Sequence, residues 1–200
     1  MKMKRLQISW LIGLVIVVMV LAIGGCGSSS SSQNTSPSPS QNVTNLLTNG
    51  DFEADLTGTW NLFADSSTSG GTITRVSGIT GFTGNCLELH AVTNGPAADT
   101  TNNWFLQAQY VVPLDLAPGN YRITLKASSD AAGSIQALVQ TATYVYVGGV
   151  KASTTTSVQT FDSGSFTVSS PTTVNFMINW GGSGNNGITF HVDDVTLVKE

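Results

Sequence analysis

Charge is scarce in this chain. Eight Lys or Arg and twelve Asp or Glu make up only 10% of its 200 residues. Runs of Glu, Lys, Arg and Leu at helical spacing are absent, which argues against amphipathic helices. The abundance of Gly, Ser, Thr, Asn and Val favours strands and tight turns instead. Basic clusters are missing as well. Lys2, Lys4 and Arg5 sit at the extreme N-terminus, and all the acids lie beyond them. The rest of the chain holds five basic against twelve acidic residues, a charge near −7. It has no electrostatic footprint for nucleic acid.

The side chains that usually carry catalysis are few. Histidine occurs only at His90 and His191, cysteine only at Cys26 and Cys86, and glutamate only at Glu53, Glu88 and Glu200. There is no Gly-X-Ser-X-Gly elbow, no His-Glu-X-X-His and no glycine loop built to cradle phosphate. Glycoside hydrolysis needs two carboxylates placed across a sugar, and no such pair stands out. The reading is a non-enzyme.

No apolar run reaches the roughly 20 residues of a membrane-spanning helix. Trp10 to Ile23 is almost unbroken, about fourteen residues, the length of a signal-peptide core, and it follows the basic Met1–Arg5. Ile23-Gly24-Gly25-Cys26 then resembles the bacterial lipobox. The resemblance implies cleavage before Cys26 and lipidation of its thiol, and several acyl chains give stable membrane anchoring. Residues 1–25 are therefore expected to be a lipoprotein signal peptide. Gly27 after the cysteine leans towards the outer membrane or cell surface of a bacterium. Residues 26–45, rich in Ser with Pro37 and Pro39, cannot bury enough surface to fold and read as a flexible linker. With Cys26 acylated, Cys86 has no disulfide partner and is expected to pack as a small apolar residue.

From residue 46 to 200 the hydrophobic period is two. Tyr121, Ile123, Leu125 and Ala127 alternate with Arg122, Thr124 and Lys126. Ile135, Ala137 and Val139 alternate with Gln136, Leu138 and Gln140. Val174, Phe176, Ile178 and Trp180 alternate with Asn175, Met177 and Asn179. Further strands are expected over 72–76, 86–92, 104–112, 142–147, 161–168 and 188–198. Tyr144 and Tyr146 would share one face of the 142–147 strand. About nine short strands with turn signals between them predict an all-β antiparallel sandwich.

The stretch Leu46 to Trp60 opens this part. Asn49-Gly50 is a turn signal. In an extended chain Asp51 and Glu53 would point to one side and Phe52 to the other. That pattern fits a polar edge strand, or half of a calcium site completed from elsewhere in the chain.

The opening Asn49-Gly50-Asp51-Phe52-Glu53, with Gly58 and Trp60 behind it, joins two other motifs. One is the Ala117-Pro118-Gly119-Asn120-Tyr121 turn, and the other is the closing Phe190-His191-Val192-Asp193-Asp194-Val195-Thr196-Leu197. Together they resemble the family 4/9 type carbohydrate-binding modules found beside cellulases and xylanases. The resemblance covers essentially all of 46–200 and implies a galactose-binding-like jelly roll. It implies a structural Ca2+ held by backbone oxygens of Asp51 and Gly84 and the carboxylate of Asp193, with Glu53 and Asp194 as further ligands. Hard oxygens of this kind suit calcium.

The resemblance also implies a cleft for polysaccharide or oligosaccharide, of β-glucan or xylan type. Phe63 and Tyr146 would flank it, Gln109, Gln136, Asn175 and Asn179 would floor it, and Tyr144 is a secondary candidate. This sequence departs from the pattern in lacking a basic residue at position 136 and in carrying Phe63 for a tyrosine. Alternation alone places Gln136, Gln140, Asn175 and Asn179 off the core. Side-chain amides there offer donor and acceptor together, as sugar hydroxyls do. The resulting expectation is a monomeric, surface-tethered binding module, with a structural or adhesion lipoprotein that contacts a protein or envelope partner as the alternative.

Overall fold

The computed structural model describes residues 43–65, 70–93 and 103–200. The expected signal peptide, Cys26 and the expected linker as far as residue 42 lie outside them. Twelve strands follow one another: β1 (Trp60–Ala64), β2 (Gly70–Ser77), β3 (Asn85–Thr93), β4 (Leu106–Tyr110), β5 (Leu114–Leu116) and β6 (Gly119–Ser129). Then come β7 (Gly133–Gln140), β8 (Tyr146–Thr154), β9 (Gln159–Asp162), β10 (Phe166–Val168), β11 (Thr172–Asn179) and β12 (Thr189–Lys199). One 3-10 turn, Ser183–Asn185, precedes β12.

The strands form two six-stranded sheets. One runs β1-β4-β11-β7-β8 with β5 beside β11, and the other β10-β6-β12-β3-β2 with β9 beside β6. Every strand pair is antiparallel. The expected all-β sandwich is what the chain forms.

Alternation built the core. Phe176, Ile178, Trp180, Ile123, Leu125, Ile135 and Val139 are all at most 1% exposed. Those of the first sheet meet Ile123, Leu125, Leu87, Leu89, Phe190, Val192 and Leu197 from the second in one hydrophobic cluster, the main favourable term in folding. Trp60 lies in this core against Phe52 (ring centroids 5.4 Å) and Phe176 (5.9 Å). Cys86 is buried, and loss of hydration pushes its thiol up to about 11. His90 and His191 each engage a strand neighbour, Thr189 Oγ1 at 3.0 Å and Glu88 Oε2 at 3.3 Å.

Three local expectations need correction. Residues 142–147 are not a strand. Thr141 to Val145 form a tight turn, with the Tyr144 N–H donating to Thr141 O (2.9 Å) and the Thr141 N–H to Val145 O (3.0 Å). Tyr144 has φ +64, and the strand begins only at Tyr146, so the two tyrosines do not alternate along one strand. The 161–168 strand is two, β9 and β10, separated at Gly164 (φ +64). Residues 46–59 are turns, not an extended edge: Asn49 and Phe52 both have positive φ (56 and 51). The expected sidedness survives, because Phe52 is fully buried while Asp51 and Glu53 are exposed.

The two ends of the folded body are fastened together. Asn45, one residue before the expected boundary, bridges to Val198. Its amide donates to Val195 O (3.0 Å) and accepts from the Leu197 N–H (3.0 Å). The Leu46 N–H donates to Leu197 O (2.8 Å), and the Val195 N–H to Gly50 O (2.8 Å). A bulge in β12 between Asp193 and Thr196, with Asp194 at φ +48, turns Val195 towards this segment. Just past the end of β12, Arg122 holds Glu200 at 2.6 Å, and it also holds Asp162 at 2.7 Å.

Candidate functional site

Register lays polar side chains in rows across the outer face of the first sheet. Cα pairing aligns Phe63 with Gln107, Gln107 with Asn179, and Asn179 with Gln136. A second row runs Asn61, Gln109, Met177, Leu138, and a third runs Asn175, Gln140, Tyr146. Because strand side chains alternate, all of these point away from the core. At about 4.8 Å per strand, the first row spans about 14 Å from β1 to β7.

The rows form a groove. Two adjoining hollows of about 440 and 360 Å³ share Gln107, Gln109, Gln140 and Tyr144. Phe63, Trp104 and Asn179 complete the first, and Asn175 and Met177 contribute to the second. Trp104 is 44% exposed and stacks on Phe105 at 4.2 Å. It is fixed by a bridge to Gly181, where a Cβ would collide with Leu106 N. On the opposite rim Tyr144 stands 82% exposed at the tip of its turn. The groove thus has aromatic rims and an uncharged floor of amides.

One atom of the floor stands out. Asn179 is 4% exposed, and its Oδ1 has no hydrogen-bond partner among the described residues. An unpaired buried acceptor costs about 1–3 kcal/mol, and such atoms call for a reason. Gln107, 7% exposed, accepts from Gln109 Nε2 at 2.7 Å, which fixes both amides. A ligand bearing hydroxyl groups would give Asn179 Oδ1 the donor it lacks.

Of the expected sugar-contacting residues, Phe63, Gln109, Tyr144, Asn175 and Asn179 line the groove. Gln136 abuts Asn179 in register, and Tyr146 ends the third row on β8. Gln140, already placed off the core by alternation, lines the groove too, as do Gln107 and Trp104, which were not named as sugar contacts. Gln107 follows from Gln109 by the same i, i+2 rule. Trp104 could be core or platform from the sequence alone, and the long-range bridge to Gly181 places it on the groove.

The expected metal ligands lie on the other sheet's outer side, where the opening segment meets β12. Asp193 is 3% exposed. Burial pushes its carboxyl up to about 6, and the negative charges of Asp194 and Glu53 add to the rise. Gly84, at φ +78, runs so close to Glu53 that a Cβ would overlap its carboxylate. Glu53 itself accepts from the Asn85 N–H (2.8 Å) and Nδ2 (2.6 Å), and these bonds hold its carboxyl below the usual range. Asp194 is paired with Lys126 at 2.6 Å. Among the described residues no three His, Cys, Asp or Glu side chains converge on one point. The buried, crowded Asp193 carboxylate fits a nearby cation, which would draw its other oxygens from the backbone.

No protein-family model matches the sequence, and none of the curated proteins matches it. Solved structures are similar in fold. A family 4 carbohydrate-binding module matches with TM-score 0.57 at 20% identity, over 77% of this chain and 99% of that one. A family 16 carbohydrate-binding module matches with TM-score 0.55 at 19% identity, over 78% and 100%. A family 61 module in complex with β-1,4-galactotriose matches with TM-score 0.53 at 15% identity, over 78% and 99%. In fold, the described part of this chain is the jelly-roll β-sandwich that these carbohydrate-binding modules share.

Proposed function

We propose that this protein is a non-catalytic carbohydrate-binding module that captures a polysaccharide or oligosaccharide chain, of β-glucan or xylan type, in the groove on the outer face of the β1-β4-β11-β7-β8 sheet. The observation that carries the reading is the unpartnered Asn179 Oδ1, set in a floor of amides between aromatic rims. Amides match hydroxyls that both donate and accept. Phe63, Trp104 and Tyr144 offer ring faces to the apolar face of a pyranose. Capture is reversible, and no covalent step is involved. The described fold would be held at the surface of a bacterial envelope by lipid on Cys26.

The test is retention of the full chain in native gels cast with β-glucan, xylan, mannan or galactan. At least one polymer should retard it in proportion to polymer concentration, with no release of reducing sugar. Unchanged mobility in all four would overturn the reading and favour a protein or envelope partner.

We also propose a structural calcium ion held by the Asp193 carboxylate with backbone oxygens of Asp51 and Gly84. Support comes from the buried Asp193 and its acidic neighbours. Glu53 and Asp194 are bonded to Asn85 and Lys126 and would shape the surroundings. A cation there would join the opening segment to β12. Calcium at neutral pH should raise the melting temperature by several degrees over chelator, as ligand linkage requires, and Asp193→Ala should abolish the rise. Equal melting temperatures with calcium and chelator would refute it.

A further inference from the structure

Beyond Gln136 the first row of the groove face continues to Lys151 on β8, its direct register partner. Lys151 is exposed. Among the described residues the salt bridges engage Arg122, Lys126 and His191. Arg75 donates to Glu53 O, and Lys199 lies over the Tyr121 ring. Lys151 has none of these attachments. No Asp or Glu occupies an outward position of β1, β4, β7, β8 or β11. Lys151 is the one charged side chain at an outward position of these five strands; Asp115 on β5 also faces outward, but beside Thr173 at the far end of β11, where it accepts from the Thr173 hydroxyl.

The neighbours of Lys151 on this face are set by β7 and β8. Gly149, two residues back on the same face, pairs with Leu138. A Cβ there would come within 2.5 Å of Ala137 O and 2.7 Å of Leu138 Cβ, so no side chain fills the position. Tyr146 reaches forward along β8 until its hydroxyl donates to Gly149 O at 3.2 Å. The Tyr146 ring therefore lies along Gly149, while Leu138, the register partner of Gly149, is only 4% exposed, so this end of the face presents the phenol ring and the Lys151 ammonium. Gln136 and Gln140 are the register partners of Lys151 and Tyr146. A pyranose seated there would meet the exposed Tyr146 ring, two amides for its hydroxyls and a cation for an acidic substituent.

We infer that the β8 end of the groove selects a uronic acid unit, a pyranose whose C6 is a carboxylate, by pairing that carboxylate with Lys151. This rests on the reading of the groove as a glycan site and adds a substrate class to it. The rest of the domain is acidic and repels an anionic chain at long range. A preference for the charged polymer can therefore arise only locally.

The test compares the full chain on β-glucan, mannan and galactan, each beside the same polymer with part of its C6 hydroxyls oxidised to carboxylate, and on xylan beside glucuronoxylan. For every neutral polymer that retains the protein, the acidic counterpart should bind about threefold more tightly at low salt, the scale of an exposed ion pair. The difference should vanish in 0.5 M NaCl. Lys151→Gln should equalise the pair while leaving neutral affinity unchanged. Equal or weaker binding of the acidic form by the wild type, or a preference that survives Lys151→Gln, would overturn the inference and leave the groove intact as a glycan site. Retention by no polymer of either kind would overturn both.

Discussion

Asn179→Leu should separate binding from stability. Leucine has nearly the shape of asparagine but no polar atoms. The Asn179 Oδ1 has no partner among the described residues, so its removal deletes an unsatisfied buried acceptor. Replacing such a group by an apolar one of the same shape is neutral or stabilising, by up to about 1 kcal/mol. A bound glycan would meet the reverse situation: hydroxyls directed at Asn179 would be left facing methyl groups. Two lost or unsatisfied hydrogen bonds amount to about 2 kcal/mol, a weakening of about 30-fold. Affinity electrophoresis together with thermal melting reads both quantities. A melting temperature at or above that of the wild type, with retention nearly gone, is the expected result. A clear loss of stability would mean that Asn179 serves the fold, and unchanged retention would remove it from the groove's chemistry.

Gly50→Ala should be the most destabilising single methyl in the described chain. The Gly50 carbonyl accepts the Val195 N–H at 2.8 Å, and a Cβ at Gly50 would overlap the Val195 carbonyl oxygen. That neighbour is backbone, held by the β12 bulge, and it cannot swing aside as a side chain would. Relief requires residues 45–52 to lift from β12. Lifting breaks the Asn45 bonds to Val195 and Leu197 and draws Phe52, fully buried against Trp60, out of the core. Steric overlap, lost hydrogen bonds and exposed apolar surface together make a loss of about 3 kcal/mol, or about 9 °C in melting temperature for a body of this size. Gly58→Ala is the comparison. Gly58 has φ +77 but open space around it, so only backbone strain of about 1 kcal/mol is expected. Similar melting temperatures for the two variants would show that the clasp yields easily.

The sequence spoke clearly wherever one face was buried. Val174, Phe176, Ile178 and Trp180 could only be read inward, which placed Asn175 and Asn179 outward before any register was known. It was silent where a strand is too short to show a period, as with the three residues of β5. It misled at β8. The expected 142–147 strand took in Tyr144 and stopped short of Gly148-Gly149, yet the glycines lie within the strand and Tyr144 takes the left-handed turn. The reason is tertiary. A Cβ at Gly148 would strike the Phe166 ring, and one at Gly149 would strike the β7 backbone. The glycines are there for close approach, not for chain reversal. The groove was legible as a set of outward amides. Its depth was not, because burial of Gln107 and Met177 depends on neighbours from β1, β11 and β7 that only the fold brings together.

The fastening of the opening segment onto β12 has a mechanical consequence. If the chain ahead of Asn45 is moored to an envelope, any tug from a captured polymer is transmitted through residues 45–50. There it meets the Asn45 bridge, the Leu46–Leu197 bond and the Gly50–Val195 bond as a short row that shares the load. The groove lies on the other sheet, so force can peel the mooring without first deforming the surface that grips the ligand. Grip strength and anchorage strength are therefore separate properties of this body, set by different residues and free to change independently.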